Sequence, residues 1–216
     1  MESKFVTHPE QIAETIVTKA QASANKRYIV AIAGPPASGK STLAEQLSLL
    51  INQQAGQPLS EVIPMDGFHY DNDWLDQHQL RPRKGAEQTF DSQGFVDKVK
   101  QLSLANKPVS IPLFDRDKDA VVPDARTIAP QQRILLIEGN YLLLNTKPWS
   151  TVHALYDYSI LLNPGIGILE ERLVQRWLQQ GYDNEGARQR ALSNDIPNAK
   201  FVLEHSGATD ITLTQG

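Results

Sequence analysis

Short hydrophobic runs alternate along the chain with segments in which hydrophobic residues recur every three or four positions. Runs of this length are typical of buried strands, and they occupy residues 28–33, 61–65, 133–137, 156–162 and 211–213. The recurring positions are typical of amphipathic helices, with stripes at Ile12, Ile16 and Ala20, at Leu43, Leu47 and Leu50, at Phe95, Val99 and Leu102, and at Leu169, Leu173 and Trp177. Because strands and helices alternate, we expect right-handed crossovers and a parallel sheet with helices on both faces.

The same pattern predicts the domain organisation. Residues 109–114 and 125–128 flank a charged loop at 115–124 and predict a hairpin at the edge of the fold. No internal repeat, low-complexity tract or Pro- and Gly-rich linker divides the chain, so we predict one domain over residues 1–216. In it, residues 1–27 form a helix that packs on the sheet, and residues 28–216 form the core.

The composition is that of a globular chain with a mild acidic excess. The 216 residues include 21 Lys and Arg against 25 Asp and Glu, which is a formal net charge of -4, and the pI is about 5.7. Proteins that neutralise nucleic-acid phosphates usually carry a basic excess, so we expect no nucleic-acid partner. The apolar stretches are far shorter than the roughly 20 residues of a membrane helix, so we expect no membrane partner.

The residue types also restrict the chemistry and the compartment. The sequence contains no cysteine, which excludes disulfides, zinc–thiolate sites and a thiol nucleophile. The N-terminal residues lack the basic start and apolar run of a secretory signal. We therefore expect a cytoplasmic protein, and we leave homodimer formation open.

The segment between the first predicted strand and the next helix reads Gly34-Pro35-Pro36-Ala37-Ser38-Gly39-Lys40-Ser41. It matches the phosphate-loop motif G-x-x-x-x-G-K-[ST], in which backbone N–H groups cradle nucleotide phosphates at a helix N-terminus. In this motif the lysine contacts the outer phosphates and the serine hydroxyl ligates Mg2+, which gives those roles to Lys40 and Ser41. The motif predicts binding of a nucleoside triphosphate and leaves the acceptor of the phosphoryl group open.

Two carboxylates follow predicted strands. Asp66 comes directly after residues 62–65, and Glu138 comes directly after residues 134–137. Parallel sheets bind ligands outside the carboxyl ends of their strands, so both side chains are expected to face the phosphate loop. Asp66 would orient an acceptor hydroxyl and take its proton, although an Asp before a glycine also fits a simple turn. Glu138 stands at the position of a Walker B acid, which holds Mg2+ directly or through water.

Cationic side chains complete the predicted site. Arg172 and Arg176 are four positions apart and share one helix face, where a guanidinium would fold over the phosphates and exclude water. On spacing alone, a solvated helix face is the simpler interpretation. The basic run at 81–84 fits either a solvated loop or an anion-binding substrate loop. The five histidines show no metal-ligand spacing, and His69 is notable only because it stands close to Asp66.

These motifs resemble those of the P-loop kinases that include uridine kinase, phosphoribulokinase and the bacterial type of pantothenate kinase. The similarity runs from residue 28 to about residue 213. Asp66-Gly67-Phe68, Arg83-Lys84-Gly85 and Phe90-Asp91 are similar to the pantothenate kinase pattern D-G-F, R-K-G and Y-D. The overall resemblance is strongest to short bacterial kinases described as nucleoside kinase-like or fructose-transport-associated, whose M-D-G-F-H and E-G-N-Y segments match residues 65–69 and 138–141.

The motifs and the resemblance together imply a three-layer α/β P-loop NTPase fold, with a mainly parallel five-stranded sheet and a helical lid. They imply ATP and Mg2+ as cofactors and a small-molecule hydroxyl as the acceptor of the γ-phosphoryl group. Asp66 would be the base, and Lys40, Arg172 and Arg176 would stabilise the transferring group. The implied contacts are, for ATP, Gly34, Ala37, Ser38, Gly39, Lys40, Ser41, Thr42 and, in the turn near adenine, Ser206; for the acceptor, Phe68, His69, Arg83, Lys84, Phe90, Asp91, Arg116, Asn140 and Tyr141; and for the metal, Ser41 and Glu138.

The sequence departs from the specificity patterns of this group. Pantothenate kinases carry Tyr-Ser-His after the edge strand, where this chain has Phe114-Asp115-Arg116. Uridine kinases carry Tyr-Asp at this place and, a little later, a His that contacts the nucleobase. This chain keeps only the Asp, as Asp115, and has Asp119 near the position of the His. A nucleoside, a sugar or a pantothenate-like alcohol therefore all remain candidate acceptors. The charges of Arg116 and residues 81–84 would favour an acceptor that carries a negative group.

A different class of function is also compatible with a phosphate loop. The alternative is a regulatory P-loop NTPase switch, which acts on a protein partner and phosphorylates no metabolite. Asp66 at an acceptor position and the paired arginines on the candidate lid favour the kinase.

Overall fold

The computed structural model of the protein describes residues 8–214. In this part of the chain the strands are β1 (Tyr28–Ala33), β2 (Ser60–Pro64), β3 (Val109–Asp115), β4 (Ala120–Ile128), β5 (Ile134–Gly139), β6 (Tyr158–Asn163) and β7 (Ile211–Thr214). The α-helices are α1 (Pro9–Ala22), α2 (Lys40–Ala55), α3 (Asn72–Gln77), α4 (Ser92–Leu104), α5 (Ile166–Gln179), α6 (Asn184–Arg190) and α7 (Ile196–His205). None of these helices has the length and apolar character needed to cross a bilayer.

Five strands form one parallel sheet in the order β2-β5-β1-β6-β7. All six residues of the central strand β1 are buried, and its side chains alternate between two cores. Ile29 and Ala31 enter one core, whereas Val30 and Ile32 enter the other. A strand buried on both faces has mostly hydrophobic side chains on both faces, which is why β1 appears in the sequence as a continuous hydrophobic run. The predicted five-stranded parallel sheet is confirmed.

Helices α1 and α2 cover one face of the sheet. Ile12 of α1 and Leu43 and Leu47 of α2 pack in the core on that face, as their spacing predicts. The buried stripe of α2 is rotated slightly from the prediction, because Ile51 is fully buried and Leu50 is only partly buried at the edge of the core. Helix α1 therefore packs in the core on this face of the sheet; residues 1–7 of the predicted N-terminal segment lie outside the described residues.

Helix α4 and the hairpin of β3 and β4 cover the other face. Phe95, Val99 and Leu102 of α4 are buried in this core, as their spacing predicts. The ring of Phe95 also meets that of Phe68 edge-on, with centroids 5.3 Å apart. This contact ties the turn after β2 to α4.

The hairpin of β3 and β4 is longer than the hydrophobic pattern predicts. β4 begins at Ala120, so the charged loop covers only residues 116–119 and not 115–124. Most of β4 is exposed, and exposed polar positions do not distinguish a strand from a loop. The antiparallel pairing, which runs as far as Asp115 opposite Ala120, sets the strand length instead. Arg116 therefore follows directly after β3.

Two strands end differently from the predicted bounds. β2 stops at Pro64, and Met65–Phe68 form a 3₁₀ turn that carries Asp66. β5 continues through Glu138, because that residue still lies in register with Ile32 and Pro64 on the neighbouring strands. Asp66 therefore lies beyond its strand, whereas Glu138 is held by the sheet itself.

The segment from α5 to α7 has a small hydrophobic cluster of its own. Its buried members are Leu169, Leu173, Ala191, Ile196 and Ala199. A π-helical turn, Ala191–Asp195, joins α6 to α7 within this segment. Because the cluster is separate from both sheet cores, these helices pack together as a unit, here called the lid helices. Helix α5, which carries Arg172 and Arg176, is the predicted lid.

Gly67 lies where the 3₁₀ turn meets the hairpin. A Cβ atom there would collide with the carbonyl oxygen of Pro112 and lie 3.2 Å from the backbone nitrogen of Leu113. We expect Gly67→Ala to destabilise the fold by about 1–3 kcal/mol, because backbone atoms cannot rotate out of the way. Chemical denaturation measures this change. Gly167→Ala in α5 is the matched control, since a Cβ at Gly167 meets open space; equal losses in the two variants would contradict the packing argument.

Candidate active site

The phosphate loop connects β1 to α2. Ala37 and Gly39 have left-handed backbone angles, with φ of 62° and 95°. Positive φ is uncommon for a residue other than glycine, and in a turn before a helix it lets successive N–H groups converge on an anion. Gly34 opens the loop, where a Cβ atom would lie 2.7 Å from Ser38 Oγ. Helix α2 begins at Lys40, so the positive end of its dipole lies at the loop.

A cavity of about 680 Å³ lies beside this loop, and its volume is typical of small-molecule sites. It brings together Lys40 of α2, Asp66 after β2, Arg116 after β3, Asn140 after β5 and Arg176 of α5. The sheet order explains part of this convergence. β2, β5 and β1 are neighbours, so the residues that follow these parallel strands meet at one edge of the sheet.

Asp66 forms an ion pair with Arg116. Nη2 of Arg116 donates to Oδ2 of Asp66 at 3.1 Å, and the side chains are 62% and 30% exposed, respectively. An ion pair this exposed contributes at most about 1 kcal/mol to stability. Its main consequence is therefore orientation: it holds the Asp66 carboxylate at the cavity that both residues line.

Glu138 is a buried carboxylate beside the phosphate loop. Burial raises the pKa of Glu138, and the negative charge of Asp66 raises it further. The positive charge of Lys40 and a hydrogen bond with Ser41 act in the opposite direction. The oxygen Oε2 of Glu138 is buried with no hydrogen-bond partner among the described residues. A buried carboxylate oxygen without a partner is unfavourable, so this position is suited to a bound cation.

The hydroxyl of Ser41 and the carboxylate of Glu138 could together hold Mg2+, which prefers oxygen ligands. Within residues 8–214 there is no group of three or more His, Asp or Glu side chains placed to hold a metal ion. Ser41 and Glu138 alone therefore do not fit zinc, which takes three or four protein ligands. The pair does fit Mg2+, because this ion usually takes most of its ligands from waters and phosphate oxygens and needs only one or two protein groups.

The two arginines of α5 lie in different surroundings. Arg176 lines the cavity, and burial lowers its pKa, an effect to which nearby Arg116 adds. Arg172 is not part of the cavity lining; its Nη1 donates to the backbone carbonyls of Ala37 at 3.2 Å and Ser38 at 3.4 Å. The structure places the Arg172 guanidinium against the backbone of the phosphate loop, and its role over the phosphates stays a prediction.

His69 lies between two phenylalanine rings that line the cavity. Its ring centroid is 4.0 Å from that of Phe90 and 4.8 Å from that of Phe114. Nδ1 of His69 lies 2.8 Å from the carbonyl oxygen of Asp66; because a carbonyl only accepts, Nδ1 carries the proton. Burial lowers the pKa of His69, and Asp66 opposes this shift. The ring is therefore neutral at pH 7, and its Nε2 is a hydrogen-bond acceptor.

Asn140 and Lys84, both predicted to bind the acceptor, also line the cavity. Asn140 is 8% exposed, and its Oδ1 is buried with no partner in the described part of the chain. Nζ of Lys84 donates to Oδ1 of Asp119 at 2.7 Å and to Oδ1 of Asn72 at 2.7 Å. The two residues thus differ: Asn140 presents an unused acceptor atom, whereas Lys84 is already paired.

Four predicted acceptor contacts lie outside the cavity lining, namely Phe68, Tyr141, Asp91 and Arg83. Phe68 and Tyr141 are 8% and 0% exposed and pack in the sheet core, and the Tyr141 hydroxyl donates to the carbonyl of Gly85 at 2.6 Å. Asp91 caps α4, where its Oδ1 accepts from the backbone N–H of Gly94 at 2.9 Å. These residues support the wall of the cavity, and their contact with the acceptor stays a prediction.

Like Arg83, two predicted ATP contacts lie away from the cavity lining. Arg83 donates to Oδ1 of Asn198 at 3.1 Å and to the carbonyl of Ser193 at 3.4 Å, so it connects the basic segment to the lid helices. Its contact with the acceptor stays a prediction. Thr42 is exposed in the first turn of α2. Ser206 directly follows α7. The contacts of Thr42 and Ser206 with ATP stay predictions.

The cavity also contains residues that sequence reasoning did not place there. Trp177 Nε1 donates to Oδ2 of Asp195 at 2.6 Å, and the guanidinium carbon of Arg190 lies 5.0 Å from the centroid of the Trp177 ring. These three residues line the lid side of the cavity, and Phe114 and Asp119 line the hairpin side. No local spacing marks them, because their contacts join parts of the chain that are distant in sequence.

Comparison with known proteins shows relatives of this chain. The model of the phosphoribulokinase / uridine kinase family matches residues 29–215. The chain is 36% identical over 188 residues to the uncharacterized protein YggC of Escherichia coli strain K12, covering 87% of this chain and 78% of that protein. It is 36% identical over 197 residues to a Schizosaccharomyces pombe protein provisionally named uridine kinase C227.14, covering 88% of this chain and 84% of that protein.

A solved structure shares the fold. It is the crystal structure of a Silicibacter sp. TM1040 protein provisionally named a fructose transport system kinase, at 39% sequence identity. The two structures agree with a TM-score of 0.89, over 95% of this chain and 98% of that chain. The similarity therefore extends from the motifs to nearly the whole path of the backbone.

Proposed function

The chain belongs to the phosphoribulokinase / uridine kinase family, and from this premise we propose that Asp66 is the base that activates a hydroxyl of a small metabolite for phosphoryl transfer from ATP. The family and the kinase-named relatives make the chain an ATP-dependent small-molecule kinase. One observation carries the proposal for the residues: Asp66, Lys40 and Arg176 line the same cavity beside the phosphate loop.

Asp66 would act on the acceptor. Its carboxylate would accept a hydrogen bond from the acceptor hydroxyl and take the proton late in the transfer, when bond formation to phosphorus has acidified the alcohol. The ion pair with Arg116 supports this role, because it holds the carboxylate at the cavity. Orientation of this kind is the main contribution that a kinase makes at the nucleophile.

Lys40 and Arg176 would act on the transferring phosphoryl group. Phosphoryl transfer passes through a loose transition state whose charge is spread over the phosphate oxygens. Two cations that line one cavity, Lys40 on α2 and Arg176 on the lid helix α5, would neutralise that charge. Arg176 would also exclude water when the lid helices close over the nucleotide.

Ser41 and Glu138 would hold Mg2+. The ion would supply positive charge that neutralises the phosphates of the nucleotide. Two observations support this placement: Oε2 of Glu138 has no partner among the described residues, and the Glu138 side chain forms a hydrogen bond with Ser41.

We expect Glu138→Gln to raise the Mg2+ concentration needed for tight nucleotide binding by roughly 10-fold or more, because the variant keeps the shape of the side chain and removes its charge. Calorimetric titration of Mg2+ into protein with a non-hydrolysable ATP analogue measures this without turnover. Glu45→Gln, at an exposed position of α2, is the matched control. An unchanged Mg2+ requirement in Glu138→Gln would remove this residue from the metal site.

A screen of candidate acceptors by ADP release tests the proposed function. The panel includes nucleosides, sugars and pantothenate-like alcohols, and the Asp66→Asn variant serves as the blank. We expect ADP release to depend on one class of alcohol in the wild type and to stay near the blank without it. A steady rate that no alcohol alters, but that a protein partner changes, would instead identify a regulatory NTPase.

A further inference from the structure

Arg176 is the arginine of helix α5 that lines the cavity. Its guanidinium has neither a hydrogen bond nor an ion pair with any of residues 8–214. Burial lowers the pKa of Arg176, and the positive charge of Arg116 lowers it further, whereas the negative charges of Asp195 and Asp66 raise it. These two carboxylates therefore attract the guanidinium without bonding to it.

Asp66 and Asp195 both line the cavity, but they differ in what else they do. Oδ2 of Asp66 accepts from Arg116 at 3.1 Å, and in the proposed function this carboxylate also takes the proton of the acceptor. Oδ2 of Asp195 accepts from Nε1 of Trp177 at 2.6 Å, and the proposed chemistry gives Asp195 no role. Because a partly buried carboxylate is unfavourable without compensation, its presence at the site calls for an explanation.

Asp195 is the last residue of the π-helical turn Ala191–Asp195. Single π-helical turns occur frequently at functional sites. The turn is held from the opposite wall of the cavity, because Nδ2 of Asn194 donates to the carbonyl of Lys84 at 3.2 Å and Lys84 lines the cavity. The carboxylate of Asp195 therefore starts from an anchored piece of backbone.

The hydrogen bond between Asp195 and Trp177 connects this turn to α5. Trp177 directly follows Arg176 in the chain, so the bond restrains the turn of α5 that carries the arginine. The Trp177 ring is also held by Tyr182, which meets it edge-on with centroids 5.3 Å apart, and by Arg190, whose guanidinium carbon lies 5.0 Å from its centroid. Asp195 thus acts on Arg176 through its charge and through the position of this helical turn.

We infer that Asp195 is a positioning residue, which orients the guanidinium of Arg176 toward the transferring phosphoryl group before the reaction begins. This inference rests on the proposed function, in which Arg176 neutralises the charge of that group. An arginine without a bonded partner otherwise occupies several rotamers, and a charge that is already oriented stabilises a transition state better than one that must first be ordered. The indole bond alone needs only an uncharged acceptor, so the role explains why the residue is a carboxylate.

A double-mutant cycle tests whether Asp195 acts through Arg176. Asp195→Asn keeps an oxygen for the Trp177 indole and removes the charge, and Arg176→Met keeps an unbranched side chain and removes the guanidinium. With the acceptor found by screening, we expect Asp195→Asn to lower kcat for ADP release by roughly 5- to 50-fold when Arg176 is present. In the Arg176→Met background the same change should lower kcat by less than about 2-fold.

The affinity for a non-hydrolysable ATP analogue gives a second readout. Calorimetry should show a change of less than about 2-fold in Asp195→Asn, because the orientation of Arg176 affects the transition state more than the bound nucleotide. A merely structural role of Asp195 would instead weaken nucleotide binding together with kcat, and it would lower kcat by the same factor in both backgrounds.

Glu87→Gln is the matched control. Oε1 of Glu87 accepts from Nε1 of Trp149 at 2.7 Å, so this residue makes the same kind of carboxylate–indole bond, but it lies outside the cavity lining. We expect its kcat to stay within about 2-fold of the wild type.

Four results would overturn the inference. The first is an equal loss of kcat from Asp195→Asn in both backgrounds, and the second is a kcat of Asp195→Asn that is not below the wild type; both leave the kinase function in place. The third is full kcat in Arg176→Met, which would remove the role of Arg176 itself. The fourth is ADP release by the wild type that depends on no alcohol, in which case the proposed function fails and this inference falls with it.

Discussion

Replacing Asp66 by Asn is expected to lower kcat by roughly 10²- to 10⁴-fold, or about 3–5 kcal/mol of barrier, with the KM for ATP nearly unchanged. The amide keeps the size of the carboxylate and cannot take the proton of the acceptor hydroxyl. Steady-state ADP release with the acceptor found by screening measures the effect. The exposed ion pair with Arg116 contributes little to stability, so the variant should unfold at nearly the wild-type temperature.

Asp117→Asn is the matched control for this variant. Asp117 is another carboxylate at the cavity, and its exposed backbone N–H bonds to Asp115. If Asp66→Asn kept full transfer to the true acceptor, or if Asp117→Asn lost as much, the role of Asp66 as base would be wrong.

Replacing Lys40 by Ala is expected to reduce ATP binding and phosphoryl transfer together, with kcat/KM for ATP lower by roughly 10²- to 10³-fold. The physical reason is that Lys40, in the proposed role, would contact the phosphates in both the bound state and the transition state, whereas Asp66 would contact only the acceptor. Calorimetric binding of a non-hydrolysable ATP analogue and steady-state kinetics separate these two effects.

Lys100→Ala, at an exposed position of α4, controls for the loss of one positive charge. The comparison of Lys40→Ala with Asp66→Asn is equally informative, since only the first should weaken the nucleotide complex. Unchanged binding of the ATP analogue by Lys40→Ala would contradict the placement of this side chain at the phosphates.

The sheet and the phosphate loop could be predicted because their signals are local. A strand buried on both faces leaves a hydrophobic run, as in β1, and the loop needs glycines and a lysine at a constant spacing. β4 could not be predicted in full, because its exposed side chains carry no hydrophobic pattern. Its length depends on backbone pairing with β3, which is a contact between two segments.

The site could be predicted only in part, because a motif does not tell which side chains face the ligand. In residues 65–69, Asp66 and His69 line the cavity, whereas Phe68 packs in the core. On α5, Arg176 reaches the cavity and Arg172 bonds to loop carbonyls, although the two share a helix face. These differences depend on how the turn and the helix are docked on the sheet, which local spacing does not specify.

The pairing of the basic run could not be predicted from the sequence for the same reason. Residues 81–84 form a basic run in the sequence. In the fold, Arg81 and Lys84 are paired with carboxylates, one nearby and one contributed by the hairpin loop. Arg83 bonds to the lid helices. These ion pairs neutralise the charges of Arg81 and Lys84, which the sequence shows only as part of a basic run.

Transfer of labelled phosphate tests the central claim most directly. Wild-type protein and Asp66→Asn are each mixed with γ-³²P-labelled ATP, Mg2+ and the acceptor found by screening, and the products are separated after a single turnover. We predict that the wild type transfers the label to a phosphate ester of the acceptor and that Asp66→Asn leaves it on ATP. Label that appears only as inorganic phosphate, at the same rate with and without the acceptor, would contradict the claim that this site is a small-molecule kinase with Asp66 as its base.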